Sequence, residues 1–270
     1  MKYSNLHTHS TYSDGAHSPR QIVEQALSLG MPAIGISDHS YTFFDRAYCI
    51  DEAKNGEYIS ELRALKDEYK GRIEVLVGIE LDAYSSGYNR ADFDYIIGSC
   101  HYLNFGGNYV SVDSSLVGVK DAIEKYCDGD SMRFAMKYFD TYTERICDMR
   151  PDILGHIDLV SKLGVVDESS EIYRKRAVET LCDSLSACDI IEMNTGAISR
   201  GYKKLPYPAD FLLREIKEIK DKKKHIILSS DSHSKETLIF YFDECLNILR
   251  ANGIKSVVTY SNGAFEEVSI

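Results

Sequence analysis

Ala33-Ile34-Gly35-Ile36-Ser37-Asp38-His39 is a short apolar run that ends on polar side chains able to do chemistry. An uninterrupted run of this length suits a strand buried on both faces. A helix precedes it. Ser18 fits an N-cap, Pro19 the first helical position and Gln21 the third place of a capping box. Ile22, Val23, Ala26 and Leu29 then form a stripe that Gly30 ends. The same strand pattern recurs at Glu74–Glu80, Tyr95–His101, Asp152–Asp158, Ile190–Thr195 and His225–His233. Helices are expected over Asp51–Tyr69, Ser131–Met149, Glu171–Leu185, Ala209–Lys223 and Lys235–Ala251. A strand at Asn5–His9 opens the series, and a short strand at Ser256–Tyr260 with a polar tail closes it. Strand then helix, about seven times, predicts a parallel α/β fold. The length fits a TIM-like barrel of about seven good βα units with a stunted eighth. An open doubly wound sheet is the alternative, but no Gly-rich dinucleotide turn supports it.

The chain has 270 residues, 44% of them hydrophobic, enough for a large core, and we expect residues 1–270 to form one domain. A net charge of −11 argues against long nucleic acid or a membrane surface as partner. No run approaches transmembrane length, and the first residues carry no signal-peptide apolar core. Seven cysteines without a CxxC pair do not make a disulfide framework and suit reduced thiols in the cytoplasm. Residues 102–130 are irregular, with Phe105-Gly106-Gly107-Asn108, scattered acids and one short helix near Val119–Tyr126. An excursion of that length suggests a lid or substrate loop.

Eight histidines are present. His7, His9, His39, His101, His156 and His233 fall at or near the C-terminal ends of five expected strands, with Glu80 and Asp231, and Asp14 lies in the loop after the first strand. In a parallel barrel those ends meet at one mouth, where active sites form. His7 and His9, at i and i+2, project to one face of a strand. An isolated HxH is common by chance, but six histidines and three acids at one end of a fold are not. One ion takes about four to six ligands in a mixed nitrogen and oxygen site, so nine candidates imply two or three ions, with Glu80 or a water bridging. Imidazole and carboxylate without thiolate favour zinc, manganese or iron. His225 lies at the opposite end of its strand and is expected to be structural. His17 is left unassigned.

Such clusters activate water and clamp the oxygens of a displacement at phosphorus. That chemistry wants a basic group for the phosphate. Arg200 follows a strand at the same mouth and can hold two oxygens at once. Lys162 is a second candidate, and Asn194 a third polar contact for the substrate.

His7-x-His9, Asp14, Asp38-His39, Glu80, His101, Gly155-His156-Ile157-Asp158 and Asp231-x-His233 resemble the polymerase and histidinol phosphatase (PHP) family of metal-dependent phosphoesterases. Nearly the whole chain is covered. Within the family the chain is most similar to the histidinol-phosphate phosphatases, through His101-Tyr102, Val112-Asp113, Gly129-Asp130, Tyr138-Phe139, Pro151–Leu159 and Glu192–Gly196. Ser13-Asp14-Gly15 stands where many of those phosphatases have a different loop. The resemblance implies a distorted seven-stranded barrel and a site for three divalent ions. It implies that His7, His9, Glu80 and Asp231 hold one ion, Glu80, His101 and His156 the second, and Asp14, His39 and His233 the third. It also implies hydrolysis of L-histidinol phosphate in histidine biosynthesis by a metal-activated hydroxide. Arg200 would then neutralise the phosphoryl oxygens, and Asp231 or a metal-bound water could protonate the leaving group. Tyr41-Thr42-Phe43-Phe44 and the 102–130 excursion would recognise the imidazole and amine. A phosphoesterase for another small phosphomonoester or nucleotide is the alternative. A metal-binding module without catalysis is a third possibility, which the full ligand set argues against.

Overall fold

Ser18 caps the first helix as its sequence dictates. In the computed structural model, which describes residues 2–218 and 224–270, its hydroxyl accepts from the Gln21 N–H while the Gln21 side chain accepts from the Ser18 N–H. Helix α1 (Pro19–Ser28) buries Ile22, Val23 and Ala26 and leads into β1 (Ala33–Ile36). Next come α2 (Asn55–Glu68), β2 (Glu74–Asp82) and β3 (Tyr95–Ser99). A hairpin, β4 (Tyr102–Phe105) and β5 (Asn108–Ser111), is followed by α3 (Leu116–Cys127) and α4 (Ser131–Met149). The chain continues through β6 (Ile153–Leu154), α5 (Glu171–Ala187), β7 (Ile190–Asn194) and the single turn α6 (Gly196–Ser199). It ends with α7 (Asp210–Glu218), β8 (His225–Ser229), α8 (Phe242–Ala251), β9 (Ser256–Ser261) and β10 (Ala264–Ser269).

The main sheet has eight strands in the order β1-β2-β3-β6-β7-β8-β9-β10. Its pairs are parallel except β9 with β10. The α/β expectation therefore holds, but among the described residues the ladder is a curled sheet and not a continuous seven-strand barrel. The reason lies at the N-terminus. Asn5–His9 is not a regular strand. It makes separate parallel bridges, Asn5 to Ile34 on one side and Thr8 to Ser232 on the other. The Gly35 N–H donates to the Asn5 carbonyl (2.9 Å), and the His9 N–H to the Ser232 carbonyl (2.8 Å). The stretch thus lies between β1 and the end of β8. Ser4 extends the clamp to β9, its N–H donating to Thr259 Oγ1 at 2.7 Å.

Inside the curl, Leu6, Ala33, Leu76, Tyr95, Ile97, Ile153, Ile190, Ile227 and Val258 form one apolar plug. Tyr95 fixes its geometry. Its ring crosses β1 and β2 where both present glycine, since a Cβ on Gly35 or Gly78 would come 2.2 Å from the ring's phenolic end. The Tyr95 hydroxyl then donates to the Leu6 carbonyl.

Several expectations are corrected. The strand over Asp152–Asp158 shrinks to two residues: Gly155 still bonds Gly98 O, but the His156 N–H turns to the Glu192 carboxylate instead of a strand carbonyl. The irregular excursion is a hairpin and a longer helix, with Gly106 and Gly107 both at positive φ in the tight turn. The polar tail is likewise a strand, paired through an Asn262-Gly263 turn with both residues at positive φ. Of the helix expected over Lys235–Ala251, Lys235–Thr237 is a 3₁₀ turn and Tyr241, at φ 65°, interrupts the chain before α8. Residues 219–223 of the helix expected at Ala209–Lys223 lie outside the described residues. No described helix is long and apolar enough to cross a membrane.

The packing of Tyr95 predicts a contrast between two glycines. Gly78→Ala must displace the ring and should lose about 1–3 kcal/mol in urea unfolding. Gly56→Ala, with open space around it, should leave stability unchanged or raise it by up to about 1 kcal/mol. Equal effects would show that the close approach is not a constraint.

Candidate metal centre

The curled sheet brings its C-terminal strand ends together, and the polar side chains that follow those ends converge. Glu80, from β2, is 1% exposed and sits at the middle. Five imidazoles surround its carboxylate. His39 Nδ1 lies 2.7 Å from Oε2, His7 Nε2 3.3 Å and His9 Nε2 3.7 Å from the same oxygen. His156 Nε2 lies 3.0 Å and His101 Nε2 3.5 Å from Oε1. Asp231 adds a second carboxylate, with Oδ1 3.1 Å from His9 Nε2. Asp14, at the rim, is 3.2 Å from His233 Nε2 and 3.7 Å from His39 Nε2. All nine expected ligand residues are therefore in one cluster. Four overlapping sets have donor atoms within 4.8 Å of one another: His9, Asp14, His39 and His233; His7, Glu80 and His156; His7, His9 and Asp231; His39, Glu80 and His101.

The donor set fits a divalent cation. Burial alone pushes His9 down, and neighbouring His39 and His233 push it further, to about 3, so its ring stays neutral. For Glu80, burial is outweighed by the surrounding histidines, which hold the carboxyl well below its usual range. His7 is the reverse case: burial lowers it, but Glu192, Glu80 and Asp231 carry it well above an ordinary imidazole. His101 is carried to about 9 against burial, by Glu80 and Asp82. The buried atoms His7 Nε2 and Glu80 Oε2 face each other with no hydrogen-bond partner. A cation would accept a lone pair from each of these atoms, in place of the proton that the neighbouring carboxylates favour on His7.

The surrounding shell holds residues that the strand pattern did not single out. Asp38 accepts from the Ser10 N–H and hydroxyl, both at 2.7 Å, and from Ser13, fixing the turn after His9. Asp82 accepts from the His101 N–H at 2.8 Å and lies 3.4 Å from its Nδ1. Glu192 bonds His7 Nδ1 at 2.7 Å. One signal was available: an acid inside an apolar strand run, as in Ile190-Ile191-Glu192-Met193, must be buried with a partner.

A cavity of about 300 Å³ opens over the cluster. His39, His101, His156, His233, Asp14 and Asp231 line its inner side, together with Arg200. Arg200 Nη2 donates to Asp231 Oδ2 at 3.0 Å, and its Nε to Gly196 O at 3.1 Å. Gly196 is needed there, since a Cβ would lie 2.5 Å from Asp231 Oδ2. Burial raises the Asp231 carboxyl, but Arg200 and His7 outweigh it and hold the group well below its usual range. An ionised carboxylate accepts protons, so its surroundings do not support Asp231 as the proton donor.

Two of the expected substrate contacts stand differently. Lys162 lines the cavity, yet its ammonium is paired with Asp113 at 2.7 Å, so it is not a free cation. Asn194 does not line the cavity; it is fully buried, with its amide donating to Glu192 and its oxygen accepting from the Gly196 N–H. In the Tyr41–Phe44 segment, Phe44 stacks on Tyr109 at 4.0 Å, and it is the following Asp45, Ala47 and Tyr48 that face the cavity. From the hairpin region come Tyr102, Ser111, Asp113 and Ser114. His17 accepts from the Lys235 N–H, and His225 begins β8 far from the cluster.

Residues 5–196 match the PHP domain. A histidinol-phosphatase of Bacillus subtilis is 26% identical over 237 residues, covering 79% of this chain and 86% of its own length. Two crystal structures share the fold at lower identity. A Listeria monocytogenes chain assigned as a histidinol phosphatase has a TM-score of 0.75 at 19% identity, covering 90% of this chain and 100% of its own. The histidinol phosphate phosphatase of Lactococcus lactis, solved with zinc, L-histidinol and phosphate, has a TM-score of 0.69 at 20% identity, covering 98% and 100%.

Protons and metal compete for His7 and His101. Because His101 is raised from 6.5 to about 9, its protonated ring stabilises the metal-free fold below pH 6.5, and that contribution is lost as pH rises through about 9. Metal needs the neutral ring. Zinc or manganese binding should therefore release protons at pH 7, seen by calorimetry in buffers of different ionisation enthalpy. Affinity should climb across that window. Proton-neutral binding with flat affinity would contradict this picture of the cluster.

Proposed function

This chain belongs to the PHP domain family, and from that premise we propose that it hydrolyses L-histidinol phosphate to L-histidinol and phosphate in histidine biosynthesis. The observation that carries the reading is the convergence of six histidines, Asp14, Glu80 and Asp231 beneath one cavity that also holds Arg200. The names of the B. subtilis and L. lactis relatives, and the ligands of the latter, supply the substrate.

Zinc, manganese or iron ions, three in number, would provide an activated water and positive charge facing the phosphoryl oxygens. His7, His9, Glu80 and Asp231 would hold one, Glu80, His101 and His156 the second, and Asp14, His39 and His233 the third. Glu80 suits the bridging place because both its oxygens meet imidazoles. Arg200 is the phosphate clamp. Its bond to Asp231 fixes the guanidinium at the cavity, and such a fork can neutralise two phosphoryl oxygens as charge develops. Other residues that line the cavity suit the organic end of the substrate. Asp45 offers negative charge to an amine, and Tyr48 and Tyr102 offer ring faces. Lys162 and Asp113 line the same cavity as a neutralised pair. Residues 102–130 serve as a preformed wall of the substrate site, and residues 1–270 work as one phosphoesterase unit in the cytoplasm.

Steady-state hydrolysis tests this. Histidinol phosphate should be preferred over p-nitrophenyl phosphate and nucleoside monophosphates, and activity should vanish on chelation and return with metal. Arg200→Ala should lower kcat/KM by about 10²–10³ with metal content intact. Comparable rates on all phosphomonoesters would sink the substrate assignment, and an unchanged kcat/KM would remove Arg200 from the site.

A further inference from the structure

Glu192 touches the cluster but does not line the cavity. It is fully buried on β7, and three nitrogens surround it. Oε2 takes His7 Nδ1 at 2.7 Å, and Oε1 takes the His156 backbone N–H and the Asn194 amide, each at 2.8 Å. Oε1 already accepts from two N–H groups whose direction is fixed, which favours the ionised carboxylate, so the side chain acts as acceptor. The hydrogen between it and His7 must then sit on Nδ1.

We propose that Glu192 is a positioning residue that locks His7 in the Nδ1–H tautomer, leaving Nε2 as the free donor to a divalent cation, and that it sets the main chain of His156 in the same step. This rests on the reading of the cluster as a metal centre. His7 Nε2 is the atom left buried and unpartnered, 3.3 Å from Glu80 Oε2 and 3.7 Å from Asp231 Oδ1. Carboxylate partners of ligating histidines fix ring orientation and raise ligand basicity in this way.

The network around Glu192 has a direction that makes the proposal testable. The Gly196 N–H donates to Asn194 Oδ1 at 2.8 Å, so the Asn194 amide nitrogen is the end that points to Glu192. Glutamine at position 192 would have to keep its oxygen toward His156 and Asn194. Its NH₂ would then face His7 Nδ1, which accepts only if the ring proton moves to Nε2, the atom that should ligate. The flipped amide instead sets two donors against two donors. Nearly identical shape thus carries opposite chemistry.

The test measures zinc affinity by chelator competition in wild type and Glu192→Gln, with thermal unfolding as the check on folding. Affinity should fall about 10–100-fold in a variant that remains folded. Long-range ¹H–¹⁵N correlation spectra of the zinc-loaded wild type supply a readout that needs no variant: His7 should carry its proton on Nδ1. Wild-type affinity in Glu192→Gln, or His7 protonated at Nε2 in the wild type, overturns the proposal and leaves the metal centre standing. A wild type that binds no zinc overturns both.

Discussion

A carboxylate that is 1% exposed and ringed by five imidazoles is the constraint on which the rest of the molecule turns. Removing Glu80 from water is costly unless positive charge meets it. The imidazoles cannot all supply that charge, because rings so close repel one another's protons, and His9 is driven to about 3. A cation at the centre resolves both problems at once. The buried, unpartnered His7 Nε2 and Glu80 Oε2 are the marks of that unresolved balance within the chain's own atoms.

The fold exists to hold those rings against each other. His7 and His9 come from a segment with no ladder of its own, so distant bonds must place it. Asn5 reaches Ser230 and the Leu238 carbonyl, Ser4 reaches Thr259 and Tyr260, and Tyr95 grips Leu6. The site is therefore assembled from both ends of the sequence, with more than 200 positions separating Asn5 from Ser230. Local stabilisation of any one helix cannot build it. Asp231, held at φ 47° between Gly196 and Arg200, pays part of the strain of this assembly.

Most of this was legible in the residues. The apolar runs that end on His39, Glu80, His101 and Asp231, alternating with helices, located both the parallel strands and the mouth, because strands covered on both faces by helices read that way. The capping box at Ser18 placed the start of α1 to the residue. What stayed hidden depended on partners far along the chain. Nothing in Asn5–His9 says that its pairing is a set of separate bridges. Nothing local says that Lys162 meets Asp113, or that Asn194 turns inward to Glu192. Two misses were readable: Gly106-Gly107 and Asn262-Gly263 are hairpin turn pairs, passed over because the flanking strands are short and polar. Glu192 was visible as an acid in a buried strand, but its role follows only from the distance to His7.

Anomalous diffraction from crystals of the protein loaded with zinc or manganese tests the central claim most directly. The account predicts metal peaks around the Glu80 carboxylate, about 2.0–2.2 Å from its oxygens and from the Nε2 atoms of His7 and His9. A density map with no metal among these side chains, and Glu80 satisfied by protonated histidines alone, would contradict it.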